Sequence, residues 1–111
     1  MIKVMWFLKR ADHLTLEEFR DWWLNSHIDL VLSLQKDYLY KYTVSIRTDD
    51  DDLPGGTDCE FDWDGCAEQW FRTVDDYRAV YDNPTPSASR EDSDSHVSRM
   101  ARLIVQETEV V

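Results

Sequence analysis

The sequence contains little cysteine, glycine and proline, with two, three and three of these residues in 111. Two cysteines without a CxxC spacing or further ligands at metal-binding intervals predict reduced thiols rather than a disulfide scaffold or a zinc site. The content of 42% hydrophobic and 13% aromatic residues indicates one folded domain rather than a disordered chain. Glycine-rich phosphate loops, GxSxG elbows and HExxH motifs are all absent. We therefore expect neither a metal nor a cofactor.

The chain also lacks a long hydrophobic run and an excess of basic residues. It has 12 Lys and Arg against 23 Asp and Glu, a net charge of −11, which opposes binding to nucleic acid and to anionic membranes. The apolar run near the N-terminus is too short to span a bilayer, and no small-residue cleavage site follows it, so we expect a cytoplasmic protein.

The acidity is concentrated in one stretch, from about residue 48 to residue 65. This stretch holds eight acidic residues and no basic one, so the rest of the chain has 15 acidic against 12 basic residues. With Pro54, Gly55 and Gly56 as turn formers, it predicts a solvated loop. The alternating acids from Glu60 to Gly65 resemble part of a calcium loop, but the position that needs a bidentate Glu is Phe71, which argues against a bound ion.

The first half of the chain predicts a strand, a helix and a second strand. Residues 2–10 are rich in β-formers and have apolar side chains at both alternating positions. A capping box at Thr15 and Glu18 begins the helix. Its inward stripe is predicted to comprise Leu16, Phe19, Trp23, His27, Leu30 and Leu34. Residues 39–47 alternate again, and the face predicted to be apolar contains Tyr40, Tyr42, Val44 and Ile46.

The second half predicts two more strands and further helical segments. Residues 66–71 form a short strand, residues 74–81 a helix capped by Thr73, residues 87–98 a polar helix and residues 99–110 the last strand. The order is β-α-β-β-α-β, the ferredoxin-like α+β plan, with a four-stranded antiparallel sheet and the helices on one face. The other face would expose large apolar groups, which predicts a homodimer that pairs through its sheets.

His27 is the strongest candidate for chemistry because a neutral imidazole on a buried stripe can act as a general acid or base. A lone histidine on an apolar face is, however, more often a hydrogen-bonded core residue. Tyr40 and Tyr42 offer phenol donors, although aromatic residues on a strand usually belong to the core. Asp92, Asp94 and His96 have a spacing that suits a metal poorly, and we interpret them as a solvated helix face.

Several segments together resemble the EthD-like family of small dimeric α/β-barrel proteins. They are LTLEEFRDWWLNSHIDLV, LYKYTV, WDGCAEQWFRTVDDY and LIVQETEV. The resemblance implies a ferredoxin-like subunit, a homodimer and a pocket between the sheet and the helices. It also implies that His27 corresponds to the family's helix histidine and Tyr42 to a pocket tyrosine of related isomerases. Further residues expected to bind the ligand are Trp6, Trp23, Tyr40, Glu68 and Trp70.

Relatives of this fold act on small hydrophobic molecules as dehydratases, cyclases, lactone isomerases or cofactor-independent oxygenases. Our leading hypothesis is a cofactor-free lyase or isomerase acting on a small hydrophobic metabolite that bears a carbonyl. His27 would move a proton beside the carbonyl, and Tyr42 would hold the developing oxyanion. The alternatives are a non-catalytic accessory protein that binds a metabolite or a partner enzyme, and a cofactor-independent oxygenase.

Overall fold

The computed structural model describes residues 1–48, 62–82 and 87–111, which form an α+β domain. Its elements are β1 (Ile2–Arg10), α1 (Leu16–Trp22), a π-helical turn (Trp23–His27), α2 (Ile28–Gln35), β2 (Lys41–Ile46), β3 (Gly65–Phe71), α3 (Val74–Tyr81), α4 (Ala88–His96) and β4 (Val97–Val105). All strand pairs are antiparallel and the order is β2-β3-β1-β4. The predicted ferredoxin-like plan is confirmed.

The register of the strands separates the two faces of the sheet. Trp6 pairs with Ala67 and Arg102, and Tyr42 pairs with Gln69. These residues lie on the face covered by the helices, where the core comprises Leu8, Phe19, Trp22, Trp23 and Ala67. Because strand side chains alternate, the intervening residues lie on the opposite face, which we call the open face. No helix in the described part of the chain is long and apolar enough to cross a membrane.

The helix that follows β1 is interrupted by the π-helical turn. The Thr15 hydroxyl accepts from the Glu18 amide and the Glu18 carboxylate accepts from the Thr15 amide, as the capping box predicted. The Ile28 amide then donates to the Trp23 carbonyl, five residues back. A π turn inserts an extra residue and rotates everything that follows about the helix axis.

Because of this rotation, the predicted apolar stripe is wrong in the part of the helix that follows His27. Phe19, Trp23 and His27 are buried as expected, but the stripe continues through Val31 and Gln35. Leu34, which we placed inward, is 46% exposed, and Leu30 is only half-buried.

The predicted solvated loop over the acidic stretch changes at its end. Most of that stretch, including Pro54, Gly55, Gly56 and Cys59, lies outside the described residues. Its end is not solvated, because Asp64 is 0% exposed. Its carboxylate accepts from the Arg10 amide at 2.9 Å and pairs with the Arg10 guanidinium at 2.7 Å. These contacts fix the entry into β3.

Gly65, at the start of β3, makes room for the helix layer. A Cβ atom there would lie 2.6 Å from both the Ser45 carbonyl oxygen and Cζ3 of Trp23. The absence of a side chain therefore lets the fully buried Trp23 indole rest directly on the sheet.

The last strand is shorter than predicted and begins earlier. β4 starts at Val97, directly after α4, and ends at Val105 rather than at residue 110. The sheet partner explains this end, because β4 pairs with β1, and Val105 lies opposite Lys3 near the start of that strand. Residues after Val105 would have just Ile2 of β1 left as a pairing partner.

Candidate functional site

A cavity of about 550 Å³ lies between the covered face of the sheet and the helices. Its walls include Trp6, Trp23, His27, Tyr42, Gln69 and Tyr81. Four of these six residues, Trp6, Trp23, His27 and Tyr42, are ones that the sequence singled out. The volume lies within the range of about 300–1,000 Å³ that is typical of small-molecule sites.

His27 is 6% exposed and closes one wall of this cavity. It is the last residue of the π-helical turn, which aims its ring at α4. Its Nδ1 lies 2.8 Å from Oδ2 of Asp92, and its Nε2 lies 3.4 Å from the Ser93 hydroxyl. The imidazole is therefore held by α4 at both nitrogens.

The partners of Asp92 fix the tautomer of His27. The Trp22 indole N–H, which can only donate, gives its hydrogen bond to the same Oδ2 atom at 3.1 Å. An oxygen that already accepts one hydrogen bond is best matched by a second donor, so Nδ1 of His27 carries the proton. In the neutral ring Nε2 then carries the lone pair that can accept a proton, and the Ser93 hydroxyl, 3.4 Å away, is the donor that faces it.

A second layer of contacts supports this pair. Trp22 stacks on His96 with ring centroids 4.3 Å apart and an angle of 8° between the planes. His96 Nδ1 also lies 2.8 Å from the backbone oxygen of Asp92. These contacts hold the carboxylate in position beside His27.

Tyr42 and Trp23 place two polar groups at the cavity wall. Burial raises the pKa of Tyr42 to about 12, while the neighbouring Trp23 indole N–H acts in the opposite direction. Tyr42 therefore keeps its proton and remains a donor throughout the physiological pH range. Trp23 is 0% exposed, and its Nε1 makes no hydrogen bond of normal geometry with the described residues, although it lies close enough to the Tyr42 oxygen to favour the phenolate.

A chain of hydrogen bonds runs along another part of the wall. The Trp6 indole donates to the Tyr81 hydroxyl at 3.0 Å, and Tyr81 donates to Oε1 of Gln69. Gln69 Nε2 then donates to Oε1 of Gln35 at 2.7 Å. Burial raises the pKa of Tyr81 to about 12, so this link also remains protonated.

Three predicted ligand-binding residues lie away from the cavity. Tyr40 precedes β2, is 50% exposed and lies under the Arg72 guanidinium. Glu68 and Trp70 belong to β3 but lie on the open face. Glu68 is 3.6 Å from the Lys3 ammonium. The structure therefore groups Trp6 and Trp23 with His27 and Tyr42, and separates the other three from them.

Sequence analysis missed Asp92, Gln35, Gln69 and Tyr81. We interpreted the Asp92 helix as a solvated face, but Ser89 and Ser93 on it are each 7% exposed. Small residues four apart in a charged segment were the available signal for an inward face.

No group of three or more His, Cys, Asp or Glu side chains within residues 1–48, 62–82 and 87–111 is arranged to hold a metal ion. The two described acids of the calcium-like stretch pair with basic side chains. Asp62 contacts Lys9 at 3.1 Å and Arg99 at 2.8 Å, and Asp64 contacts Arg10.

Solved structures with the same fold span almost the whole chain. An ethyl tert-butyl ether D family protein from Bacillus halodurans has a TM-score of 0.71 at 14% identity, covering 97% of this chain and 99% of its own. A dimeric protein of unknown function and ferredoxin-like fold from Bacteroides fragilis has a TM-score of 0.62 at 15% identity, with 96% and 95% covered. SnoaB, a cofactor-independent oxygenase from Streptomyces nogalater, has a TM-score of 0.59 at 12% identity, with 99% and 94% covered.

A search of curated proteins found no significant match. The family model described as the EthD domain matches residues 11–99, which include the whole helix layer, β2, β3 and the first three residues of β4. On this evidence the chain belongs to the EthD family.

Proposed function

We propose that this protein is a cofactor-independent isomerase or lyase that acts on a small hydrophobic molecule bearing a carbonyl group. The observation that carries the proposal is the pairing of His27, a residue of the cavity wall, with Asp92. A carboxylate that holds Nδ1 of a buried imidazole leaves Nε2 to act as a general base, and a phenol in the wall of the same cavity supplies an oxyanion donor.

The chemistry follows from these groups. Nε2 of His27 takes a proton from the carbon next to the carbonyl, and the C–H electrons move to the carbonyl oxygen to form an enolate. The Tyr42 hydroxyl donates a hydrogen bond to that oxygen. The imidazolium, stabilised by Asp92, then returns the proton to another carbon in an isomerisation, or to a departing hydroxyl that leaves as water in an elimination.

Proton abstraction can be tested before the natural substrate is known. Exchange of the α-protons of 2-tetralone with D2O, followed by NMR, reports the first step alone. We expect wild type to accelerate exchange over buffer and His27→Ala to lose about 100-fold or more of that acceleration. Tyr42→Phe should lose about tenfold or more, because one oxyanion donor is removed.

Asp92→Asn tests the positioning role of the carboxylate. We expect slower exchange, because the imidazolium formed in the reaction loses its anionic partner and the ring is held less firmly. Asp75→Asn, at an exposed site in the first turn of α3, is the matched control and should leave the rate unchanged. Equal exchange by wild type and His27→Ala would contradict the proposal.

Two alternatives have distinct outcomes in the same experiments. An accessory protein would bind ligands in the cavity without accelerating exchange in any variant. An oxygenase, the activity printed for the SnoaB structure, would use the same base to deprotonate a phenolic substrate. Oxygen uptake that depends on His27 and on an added phenol would favour the oxygenase.

We also propose that the chain forms a homodimer through the open face. Met5, Phe7 and Leu103 lie on that face, and Leu103 is 51% exposed. The Bacteroides fragilis structure is described as dimeric. Light scattering after size exclusion should give twice the 13.2 kDa chain mass.

Two adjacent substitutions test which face forms the dimer. Leu103→Asp should dissociate it. Ile104→Asp is the matched control, because Ile104 is 52% exposed but lies on the opposite face. A monomeric wild type, or dissociation only by the control, would contradict this interface.

A further inference from the structure

A serine hydroxyl faces the ring nitrogen of His27 that does not contact Asp92. Oγ of Ser93 lies 3.4 Å from Nε2 of His27, and Oδ2 of Asp92 lies 2.8 Å from Nδ1 of the same ring. Hydroxyl, imidazole and carboxylate therefore follow one another in the order of a Ser-His-Asp catalytic triad. Such a triad is recognised by its geometry and not by the positions of its members in the sequence.

The protons of this array point in the direction that activates the serine. Because Nδ1 of His27 donates to Asp92, Nε2 of the neutral ring carries a lone pair, which the Ser93 hydroxyl faces. Such a ring can take the hydroxyl proton while the serine oxygen attacks a carbonyl carbon, and the carboxylate stabilises the imidazolium that forms. The distance of 3.4 Å is longer than an ideal hydrogen bond, as is common for a nucleophile and its base before substrate binds.

A second serine of the same helix provides a comparison. Ser89 lies one turn before Ser93 on α4, and both residues are 7% exposed and line the cavity. The hydroxyl of Ser89 lies 2.9 Å from that of Ser87, whereas the hydroxyl of Ser93 lies beside His27. Of two equally buried serines, Ser93 is therefore the one placed to act as a nucleophile.

From the contact of Ser93 with the His27–Asp92 pair in the cavity wall, we propose that this protein is also an esterase whose nucleophile is Ser93. The substrate is a carboxylic ester with an apolar acyl group, because the same cavity is lined by the apolar side chains of Leu8, Val31 and Met100. This activity uses the His27–Asp92 pair of the proposed function, but it does not require an enolate.

The reaction proceeds in two steps and consumes one water molecule. Oγ of Ser93 bonds to the ester carbon as its proton passes to Nε2 of His27. The bond from carbon to the alkoxy oxygen then breaks, and the imidazolium gives its proton to the departing alcohol. In the second step water gives a proton to Nε2 and attacks the acyl group, the bond to Oγ breaks, and the imidazolium returns the proton to Oγ. The Tyr42 hydroxyl, in the wall of the same cavity, is the donor available to the oxyanion of each step.

Hydrolysis of p-nitrophenyl butanoate tests this activity. We expect wild type to hydrolyse the ester faster than buffer does, and Ser93→Ala to lose about 100-fold or more of that acceleration. Ser33→Ala, at an exposed site on α2, is the matched control and should keep the wild-type rate. No hydrolysis above buffer by the folded wild type, or an equal rate in Ser93→Ala, would overturn the proposal.

Diisopropyl fluorophosphate locates the nucleophile without any substitution. The reagent bonds to an activated serine oxygen as fluoride leaves, so peptide mass spectrometry of treated wild type should find the adduct on Ser93. Ser89 is the internal control and should remain unmodified. Failure to label Ser93, or an adduct on Ser89 in its place, would overturn the proposal.

Ser93→Cys distinguishes a nucleophile from a residue that only positions His27. A thiol at this place can still be acylated, so mixing with p-nitrophenyl butanoate should release a burst of p-nitrophenol in wild type and in Ser93→Cys. Ser93→Ala should give no burst. A burst in Ser93→Ala would place the acyl group on another residue and overturn the proposal.

The same measurements separate the esterase from the isomerase or lyase. Ester hydrolysis with an adduct on Ser93, but no exchange of the α-protons of 2-tetralone, would support the esterase and contradict the proposed function. Proton exchange with neither hydrolysis nor an adduct would do the reverse. His27→Ala should lose both activities, because both use Nε2 as the base.

Discussion

The two faces of the sheet hold tryptophan in different ways. On the covered face, Trp23 is 0% exposed and its indole N–H makes no hydrogen bond of normal geometry with the described residues. On the open face, Trp70 is 6% exposed. The ammonium groups of Lys3 and Lys41 lie 4.6 and 4.8 Å from its ring centroid, and its N–H donates to Glu107 at 3.0 Å.

This difference separates a tryptophan whose polar atom is fully paired from one whose polar atom is not. Trp70 is buried by flexible side chains of its own sheet and has every polar atom satisfied. Trp23 is buried by rigid neighbours and retains an unsatisfied donor beside a cavity. Unsatisfied buried donors are rare in folded proteins, so each one calls for a structural explanation. Burial alone does not distinguish the two tryptophans, because both are nearly inaccessible to solvent.

The largest expected effect is on stability when each tryptophan is truncated. Trp23→Ala should lower the free energy of unfolding by about 3–5 kcal/mol, because its site cannot collapse. Trp70→Ala should cost about 1–2 kcal/mol, since the lysine side chains can close over the gap. Urea denaturation of both variants measures this. Equal losses would mean that the open face is as rigidly covered as the other, as tight dimerisation would make it.

The next effect concerns the close approach of Trp23 to β3. Gly65→Ala should destabilise the protein by about 1–3 kcal/mol, because the new methyl group meets a backbone oxygen and a buried indole, each at 2.6 Å. Cys66→Ala, one residue later and on the open face, is the control and should change stability much less. Thermal denaturation followed by tryptophan fluorescence reports both. An unchanged Gly65→Ala would contradict the packing described.

A smaller effect is expected from the cations over Trp70. Replacing Lys3 and Lys41 together by Gln should cost about 1–2 kcal/mol, since each cation–π contact contributes about 0.5–1 kcal/mol at a partly exposed site. Lys36→Gln, at an exposed position after α2, should be neutral. A double-mutant cycle in urea measures the coupling to Trp70, and a coupling of zero would contradict the contact.

The smallest effect is on the pH dependence of stability. Burial raises the pKa of Tyr42 and of Tyr81 from 10 to about 12, so between these values the folded state holds protons that the unfolded chain releases. Their stabilising contribution is complete below pH 10 and is lost as the pH rises toward 12. Urea denaturation across this range should show a steeper decline for wild type than for Tyr42→Phe. Tyr38→Phe, which is exposed, should match wild type; equal slopes for all three would contradict the burial of Tyr42.

Local patterning was enough to predict most of the fold. The capping box at Thr15, the Thr73 cap and the alternation over residues 39–47 depend on neighbours in sequence. The structure confirms both caps and forms the strand over the shorter range Lys41–Ile46. His27 was predicted to be buried because residues three and four apart share a helix face. The π-helical turn was not predicted, and it moved the second half of that face to Val31 and Gln35.

The sequence by itself determined which residue types were available: a histidine on a buried helical stripe, a tyrosine on a strand, and a chain with neither a nucleotide motif nor a zinc motif. Only the tertiary structure decided the partners. Asp92 lies 65 residues from His27, and the Trp6–Tyr81–Gln69–Gln35 chain joins separate strands and helices. Hydrogen bonds between distant segments depend on how the helices pack on the sheet, and periodicity along the chain carries no information about that packing.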